Sequence, residues 1–156
     1  MKQEIIYDEM LAWRSRYGEL EEKQITIKAD YTDPKKWPYF VEIKETNYDY
    51  DIEDEVHNNK IFQISQELYL TIKKAISDYK IITKCEENIK NHVMDGTSSS
   101  YYFSCEDFSK VIYGTSIYMV GSFEEEELEE DRTNNHVVYV IIKKIHDLLA
   151  NEGIHV

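Results

Sequence analysis

The sequence predicts an α+β fold in which amphipathic helices pack on one face of an antiparallel β-sheet of about four or five strands, arranged as two hairpins. Three observations support this class. Apolar and polar residues alternate in 24–31 and again in 39–44, β-prone residues recur in 100–105 and 110–113, and a strong helical pattern ends the chain. Because there are too few strand–helix–strand units for a parallel sheet, we expect antiparallel strands.

The first half of the chain predicts a helix, a hairpin and a second helix. Residues 3–17 carry apolar side chains at helical spacing before Gly18, which predicts a short amphipathic helix. The alternating segments 24–31 and 39–44 predict the first hairpin, with a seven-residue loop between them. In 61–79 the apolar residues lie three or four apart, so a helix is expected there.

The middle of the chain predicts the second hairpin. Residues 80–95 fit either a strand or one further helical turn, and both interpretations stay open. The turn residues Asp95-Gly96-Thr97 then lead into β-prone segments at 100–105 and 110–113, which Gly114 closes. A second antiparallel hairpin follows from this pattern.

The C-terminal segment gives the strongest periodic signal. Apolar residues from Val138 to Leu149 recur at helical spacing, and Gly153 is placed to end the helix. Either Thr133 or Asn134 is a suitable residue to cap its N-terminus. We therefore expect a helix that packs its apolar stripe against the sheet.

Length and composition predict one globular domain spanning 1–156. With 42% apolar residues and 13 tyrosines, the chain can bury a core without disulfides or metal. Cys85 and Cys105 form no metal or redox motif, and two free thiols are favoured over a disulfide. Neither a signal-like N-terminus nor a run of about 18 apolar residues occurs, which predicts a cytoplasmic protein.

No motif for catalysis is present. The chain lacks GxxxxGK[ST], GxGxxG, GxSxG and HExxH, and its five glycines leave little with which to build a phosphate loop. The histidines do not pair at ligand spacing, so surface or capping roles are expected for all of them. The sequence 49–53 alternates acidic residues but lacks the central glycine of a calcium loop. We expect a protein that is not an enzyme and has no catalytic residue, metal or cofactor.

The negative charge is concentrated in two segments. Residues 45–55 and 106–131 hold 15 of the 31 acidic residues and one base, Lys110. The two segments therefore carry a charge of −14. The rest of the chain has 16 acidic and 17 basic residues, a charge of +1, which gives the net charge of −13. Such focused charge repels nucleic acid and predicts a surface that binds a basic protein, although acidic runs also serve as solubilising loops.

Aromatic residues beside these carboxylates could anchor a partner, although tyrosines at strand positions often only pack within the sheet. If both segments lie at the same end of the sheet, they form one patch. The predicted partner-binding residues are Tyr48, Asp49, Tyr50, Asp51, Glu53, Asp54, Glu55, Tyr118, Phe123, Glu124, Glu125, Glu126, Glu127, Glu129, Glu130 and Asp131.

The chain resembles, at the level of class, the bacterial immunity proteins that neutralise a cognate toxin. The resemblance rests on its small size, acidity and lack of enzymatic motifs, and no specific family motif is matched. The Asp95-Gly96-Thr97 turn, the Tyr101-Tyr102-Phe103 strand, the Gly114 stop and the C-terminal helix resemble small bacterial proteins in general. The resemblance to immunity proteins implies a one-to-one complex with a secreted toxin domain, a nuclease, whose active site is occluded. A nucleic-acid mimic that counters host defence and a regulatory or structural interaction domain are the alternatives.

Overall fold

The structure is a computed structural model that describes residues 2–14, 20–87, 98–114 and 129–156. In chain order the elements are β1 (Gln3–Arg14), β2 (Leu20–Asp30), β3 (Tyr39–Asp49), β4 (Asp54–Gln63), α1 (Gln66–Asp78), a 3₁₀ helix (Lys80–Lys84), β5 (Ser98–Ser104), β6 (Ser109–Tyr113) and α2 (Glu129–Asn151). The strands form a six-stranded sheet in the order β4-β3-β2-β1-β5-β6, and all neighbours are antiparallel. The α+β class is confirmed, but the predicted number of four or five strands is too low.

One face of the sheet carries the core. Side chains alternate between the two faces of a strand, so every second residue of the central strands points to the same side. On that side lie Tyr7, Leu11, Ile25, Ile27, Val41, Ile43, Tyr101, Phe103 and Ile112, all buried. They form a single cluster with the buried residues of both helices. The opposite side, which we call the open face, carries polar residues.

The predicted helix at 3–17 is wrong, because residues 3–14 form strand β1. Ile6 occupies an irregularity in the pairing of β1 with β2, after which Tyr7 and Leu11 are buried in strand alternation. The strand pattern was hidden because its middle buried position is a glutamate, Glu9. Met10 and Trp13, which gave the helical spacing, are only partly buried.

The predicted hairpin of 24–31 with 39–44 is confirmed as β2 and β3, which pair from Glu22↔Thr46 to Ala29↔Tyr39. The acidic segment 45–55 breaks the apolar–polar alternation of the sequence, but it does not interrupt the sheet. It completes β3 and turns into β4, because backbone pairing in an exposed hairpin tolerates carboxylates that stay in solvent.

The helix predicted for 61–79 begins later, at Gln66. Ser65 caps it, since its hydroxyl oxygen accepts the backbone N–H of Leu68 at 3.0 Å. Ile61 belongs instead to β4, where its side chain is 58% exposed. The open question at 80–95 is answered for 80–84 by the 3₁₀ helix.

The second hairpin and the C-terminal helix are confirmed. Strands β5 and β6 pair from Ser100↔Tyr113 to Ser104↔Ser109, and Gly153 follows α2 with a φ of 83°, a conformation that suits glycine. Helix α2 begins at Glu129, before the predicted caps Thr133 and Asn134. Cys85 and Cys105 are free thiols, as favoured by the sequence.

The two helices run antiparallel over the core. At one end the hydroxyl of Ser65 donates to a carboxylate oxygen of Glu152 at 2.8 Å. At the other end the hydroxyl of Tyr79 donates to the carbonyl of Val137 at 2.8 Å. Both described helices cover the same face of the sheet, and no described helix lies on the open face.

Candidate functional site

At the tip of the β3–β4 hairpin, the two strands stay paired after β3 has separated from β2. The last pair between β2 and β3 is Glu22↔Thr46, whereas β3 and β4 remain paired as far as Asp49↔Asp54. Strands β1 and β2 likewise remain paired as far as Arg14↔Leu20, and Leu20 corresponds to Tyr48 in the register of β2 with β3. A four-residue turn, 50–53, closes the β3–β4 hairpin. We call residues 48–55 the acidic tip.

Local hydrogen bonds hold the turn. The Asp49 carboxylate accepts the backbone N–H of Asp51 at 2.9 Å, and the Asp54 carboxylate accepts the N–H of Glu55 at 2.8 Å. Glu53 has a φ of 53°, in the left-handed region. Asp49 and Asp54 therefore shape the tip, while Asp51, Glu53 and Glu55 extend into solvent.

The carboxylates of the acidic tip are not neutralised by the rest of the described chain. The ion pair at the tip is that of Glu55 with His57, at 3.6 Å, and no described lysine or arginine lies within 4 Å of a tip carboxylate. On the open face, by contrast, Glu42 pairs with Lys28 at 3.5 Å and Lys44 at 3.3 Å. Among the described residues, the tip carboxylates therefore have no lysine or arginine partner of the kind that Glu42 has.

The Glu42 pairs show what compensation does to a carboxyl group. Burial alone would raise the pKa of Glu42, but the hydrogen bond from Lys44 and the charges of Lys28 and Lys44 hold it below its ordinary value. The acidic tip has no such local cations among the described residues.

Two aromatic rings stand within the tip. The ring centroids of Tyr48 and Tyr50 lie 4.8 Å apart with an interplanar angle of 69°, an edge-to-face arrangement. Together with Asn47, Asp49 and Val56 they line a shallow hollow. Tyrosine beside carboxylate is a combination that can contact both the aliphatic stem and the charged end of a lysine or arginine.

Most of the second acidic segment lies outside the described residues. Tyr118, Phe123 and Glu124 to Glu127 fall there, and Glu129, Glu130 and Asp131 lie in the first turn of α2, where side chains are described only from residue 136. A combined patch stays a prediction.

The connection that leads into the second segment leaves the sheet at Gly114, whose N–H donates to the carbonyl of Ser99. Through the strand register this is the same end of the sheet as the acidic tip. Gly114 follows β6, however, which is the edge strand opposite to β4. Four interstrand spacings, about 19 Å, separate β6 from β3.

A buried polar cluster joins β1 to α2, and the sequence analysis missed it. Glu9 is 2% exposed, and its Oε1 accepts the hydroxyl of Tyr7 at 2.6 Å and contacts Nε2 of His146 at 2.7 Å. Burial, reinforced by the neighbouring Glu9, raises the pKa of Tyr7 well above its ordinary value. Because Tyr7 and Glu9 are enclosed, substrate does not reach them, and we interpret the cluster as a structural link.

The sequence did contain a signal for this link. His146 lies four residues after Ile142 and three before Leu149, so it falls on the apolar stripe of the C-terminal helix. A histidine at such a position needs a buried partner. The expectation of a surface or capping role is therefore wrong for His146, whose side chain is 15% exposed.

The open face holds a groove of about 260 Å³ near the middle of the sheet. Asp8 lies in it and accepts hydrogen bonds from the Gln24 amide at 3.1 Å and the Thr26 hydroxyl at 3.4 Å. Burial raises the pKa of Asp8 despite these bonds. In this groove Asp8 is hydrogen-bonded to neutral side chains and Glu42 is paired with Lys28 and Lys44, unlike the exposed carboxylates of the acidic tip.

Within the described ranges, no three His, Cys, Asp or Glu side chains come together as metal ligands. Neither described helix is both long and apolar enough to cross a membrane. A scan against protein-family models finds no match to this chain, and a search of curated proteins finds no significant match.

Proposed function

We propose that this chain is a non-enzymatic, acidic binding protein that inhibits a basic partner protein, and that the acidic tip is its contact surface. One observation carries the proposal. The tip is an exposed turn between two strands that no longer pair with β2, and no described lysine or arginine compensates its carboxylates. Uncompensated charge on an exposed turn attracts a surface of opposite charge.

The partner class follows from the sign and shape of this surface. Enzymes that act on nucleic acids present positive surfaces to phosphates, and a tip of carboxylates can occupy the same positions. The pair of tyrosines beside these carboxylates supplies aromatic contact area. Electrostatic attraction then speeds association, and occlusion of the active site inhibits the enzyme.

The biological class that fits this behaviour is an immunity protein, acting in the cytoplasm on a cognate bacterial toxin domain, a nuclease. Such a role needs a stable fold, a charged contact surface and no cofactor. The fold provides the first through a core shared by the sheet and both helices, and the acidic tip provides the second.

The proposal predicts the outcome of a capture experiment from lysate and secreted fraction of the source organism. The native chain is expected to retain one basic protein at low salt and to release it in a salt gradient. The double variant Asp51→Lys/Glu55→Lys is expected to lose this protein, because two attractive charges become repulsive. Both positions are exposed, so stability should change by no more than about 0.5 kcal/mol per site.

The matched control is Glu67→Lys/Asp147→Lys, which changes the net charge by the same amount on exposed helix surfaces. It should retain the partner. The captured protein is then assayed for nuclease activity, which one equivalent of the native chain is expected to abolish. Equal loss of the partner by both variants would show that net charge, and not the acidic tip, causes binding.

A further inference from the structure

Strand β4 forms a long, open edge of the sheet. It spans ten residues, of which nine are exposed and one, Val56, is partly buried. Its pairing with β3 runs without a shift from Phe40↔Gln63 to Asp49↔Asp54. The strand contains no proline, and Lys60 is its one lysine. Two devices that normally prevent further pairing at an edge, proline and a β-bulge, are thus missing from β4, and its charged residues are Asp54, Glu55 and Lys60.

The direction of the backbone groups on β4 follows from one hydrogen bond. The N–H of Ile64 donates to the carbonyl of Tyr39 at 3.1 Å, so the pair Tyr39↔Ile64 is of the hydrogen-bonded type. Such pairs alternate along an antiparallel ladder. Even-numbered residues of β4 therefore bond to β3, and the odd-numbered ones direct their N–H and C=O groups outward. These are Glu55, His57, Asn59, Ile61 and Gln63.

The other edge of the sheet differs. Strand β6 has five residues, and the N–H of Tyr113 donates to the carbonyl of Glu87 at 2.6 Å. That contact covers one end of β6 with a segment of the same chain. The accessible edge with room for a whole further strand is β4.

The chemistry along β4 has a direction. Its beginning is acidic, with Asp54 and Glu55 next to the rest of the acidic tip. Near its end two apolar side chains are accessible, Ile61 at 58% and Phe62 at 37%. They point to opposite faces of the sheet, so a strand placed alongside would contact one of them on each face.

We propose that the outer edge of β4 binds an extended segment of the basic partner as a seventh, antiparallel strand. This rests on the proposed function and names the mode of recognition. In antiparallel pairing the N-terminal half of the segment lies beside Ile61 and Phe62, and its C-terminal half lies beside Asp54 and Glu55. The segment is therefore apolar first and rich in lysine or arginine afterwards.

Charge selects this occupant over a second copy of the chain. Each copy carries a net charge of −13, so edge-to-edge pairing of two copies would join two strongly negative molecules. A basic segment gains the same backbone hydrogen bonds and neutralises part of the acidic tip. The chain alone should sediment as a monomer. A dimer that Asn59→Pro dissociates would overturn the assignment of this edge to a partner.

The direct test uses two synthetic nine-residue peptides. One alternates valine with threonine in its N-terminal half and lysine with threonine in its C-terminal half, and the other has the reversed order. We expect the first to bind at least tenfold more tightly. Amide hydrogen exchange should slow on binding at His57, Asn59, Ile61 and Gln63, whose N–H groups gain acceptors, whereas the Glu55 N–H already donates to the Asp54 carboxylate.

Two variants at one position provide the matched control. Asn59→Pro removes an outward N–H without removing a bond to β3, whereas Asn59→Thr retains that N–H. The proline variant should weaken binding of the first peptide at least tenfold, and the threonine variant should bind within about twofold of the native chain. If Asn59→Pro lowers the melting temperature strongly, its weaker binding is not informative. The proposal is then tested by the hydrogen-exchange pattern of the native chain with the first peptide.

Two results would overturn strand addition. One is failure of the first peptide to bind, and the other is binding without slowed exchange at the amides of His57, Asn59, Ile61 and Gln63. Neither result decides the proposed function, which is tested separately by capture with Asp51→Lys/Glu55→Lys. If a partner is captured through the acidic tip and the amides of the β4 edge are not protected, the proposed function is supported. Strand addition at β4 is then excluded as the mode of recognition.

Discussion

Replacing Ile142 by alanine is expected to lower the free energy of unfolding by about 2–5 kcal/mol. Ile142 is fully buried in α2, within the cluster that joins both helices to the sheet. Truncation removes apolar contact and leaves a cavity that the close-packed surroundings cannot fill completely. Since domains of this size have a total stability of about 5–15 kcal/mol, the loss is a large fraction of the whole. Urea unfolding followed by circular dichroism measures it.

The matched control lies on the other side of the same helix. Val140 is 42% exposed, and Val140→Ala should change stability by no more than about 0.5 kcal/mol. The difference between the two variants tests which side of α2 faces the sheet. Equal losses from both would contradict the packing described here.

Replacing His146 by alanine is expected to lower the free energy of unfolding by about 1–3 kcal/mol. The change removes one hydrogen-bond partner of a carboxyl group that is almost fully buried, which leaves Glu9 with the Tyr7 hydroxyl alone. Loss of one partner is costly because the buried group that remains keeps its desolvation penalty. His146→Gln can still donate a hydrogen bond and should recover part of the loss.

His136→Ala is the control for this prediction. His136 lies on the same helix and is exposed, so its replacement should be almost neutral. A double-mutant cycle of Glu9→Ala with His146→Ala isolates the pair itself, and coupling of about 1 kcal/mol or more is expected for groups in contact. Additive losses would show that the two side chains do not stabilise each other.

How well the sequence predicts an element depends on whether its buried positions are apolar. The stripe in α2 was found because Val138, Ile141, Ile142, Ile145 and Leu149 are all buried. The hairpins β2–β3 and β5–β6 were found because alternation and turn residues agree. Strand β1 was assigned as a helix because Glu9 stands at a core position and the strand is irregular at Ile6. The residue that contacts Glu9 lies 137 positions away, so the sequence around Glu9 does not identify it, although the place of His146 on the apolar stripe indicates a buried partner.

The candidate site was predicted in part. Composition located the acidic residues 45–55, but it gave no indication that they form the end of a β-hairpin, because the β-propensity of a segment depends on the strand beside which it packs. The open edge of β4 could not be foreseen either. From the sequence alone, residues 58–60 are predicted as a polar connection and 61–63 as the start of a helix. Only their pairing with β3 shows that they belong to a strand.

The most direct measurement of the central claim is the association rate of the captured basic protein as a function of ionic strength. For the native chain this rate should fall steeply as salt screens the acidic tip. Asp51→Lys/Glu55→Lys should associate about tenfold more slowly at low salt, and the two rates should converge at high salt. Rates for native chain and variant that coincide at low salt would contradict the assignment of the acidic tip as the binding surface.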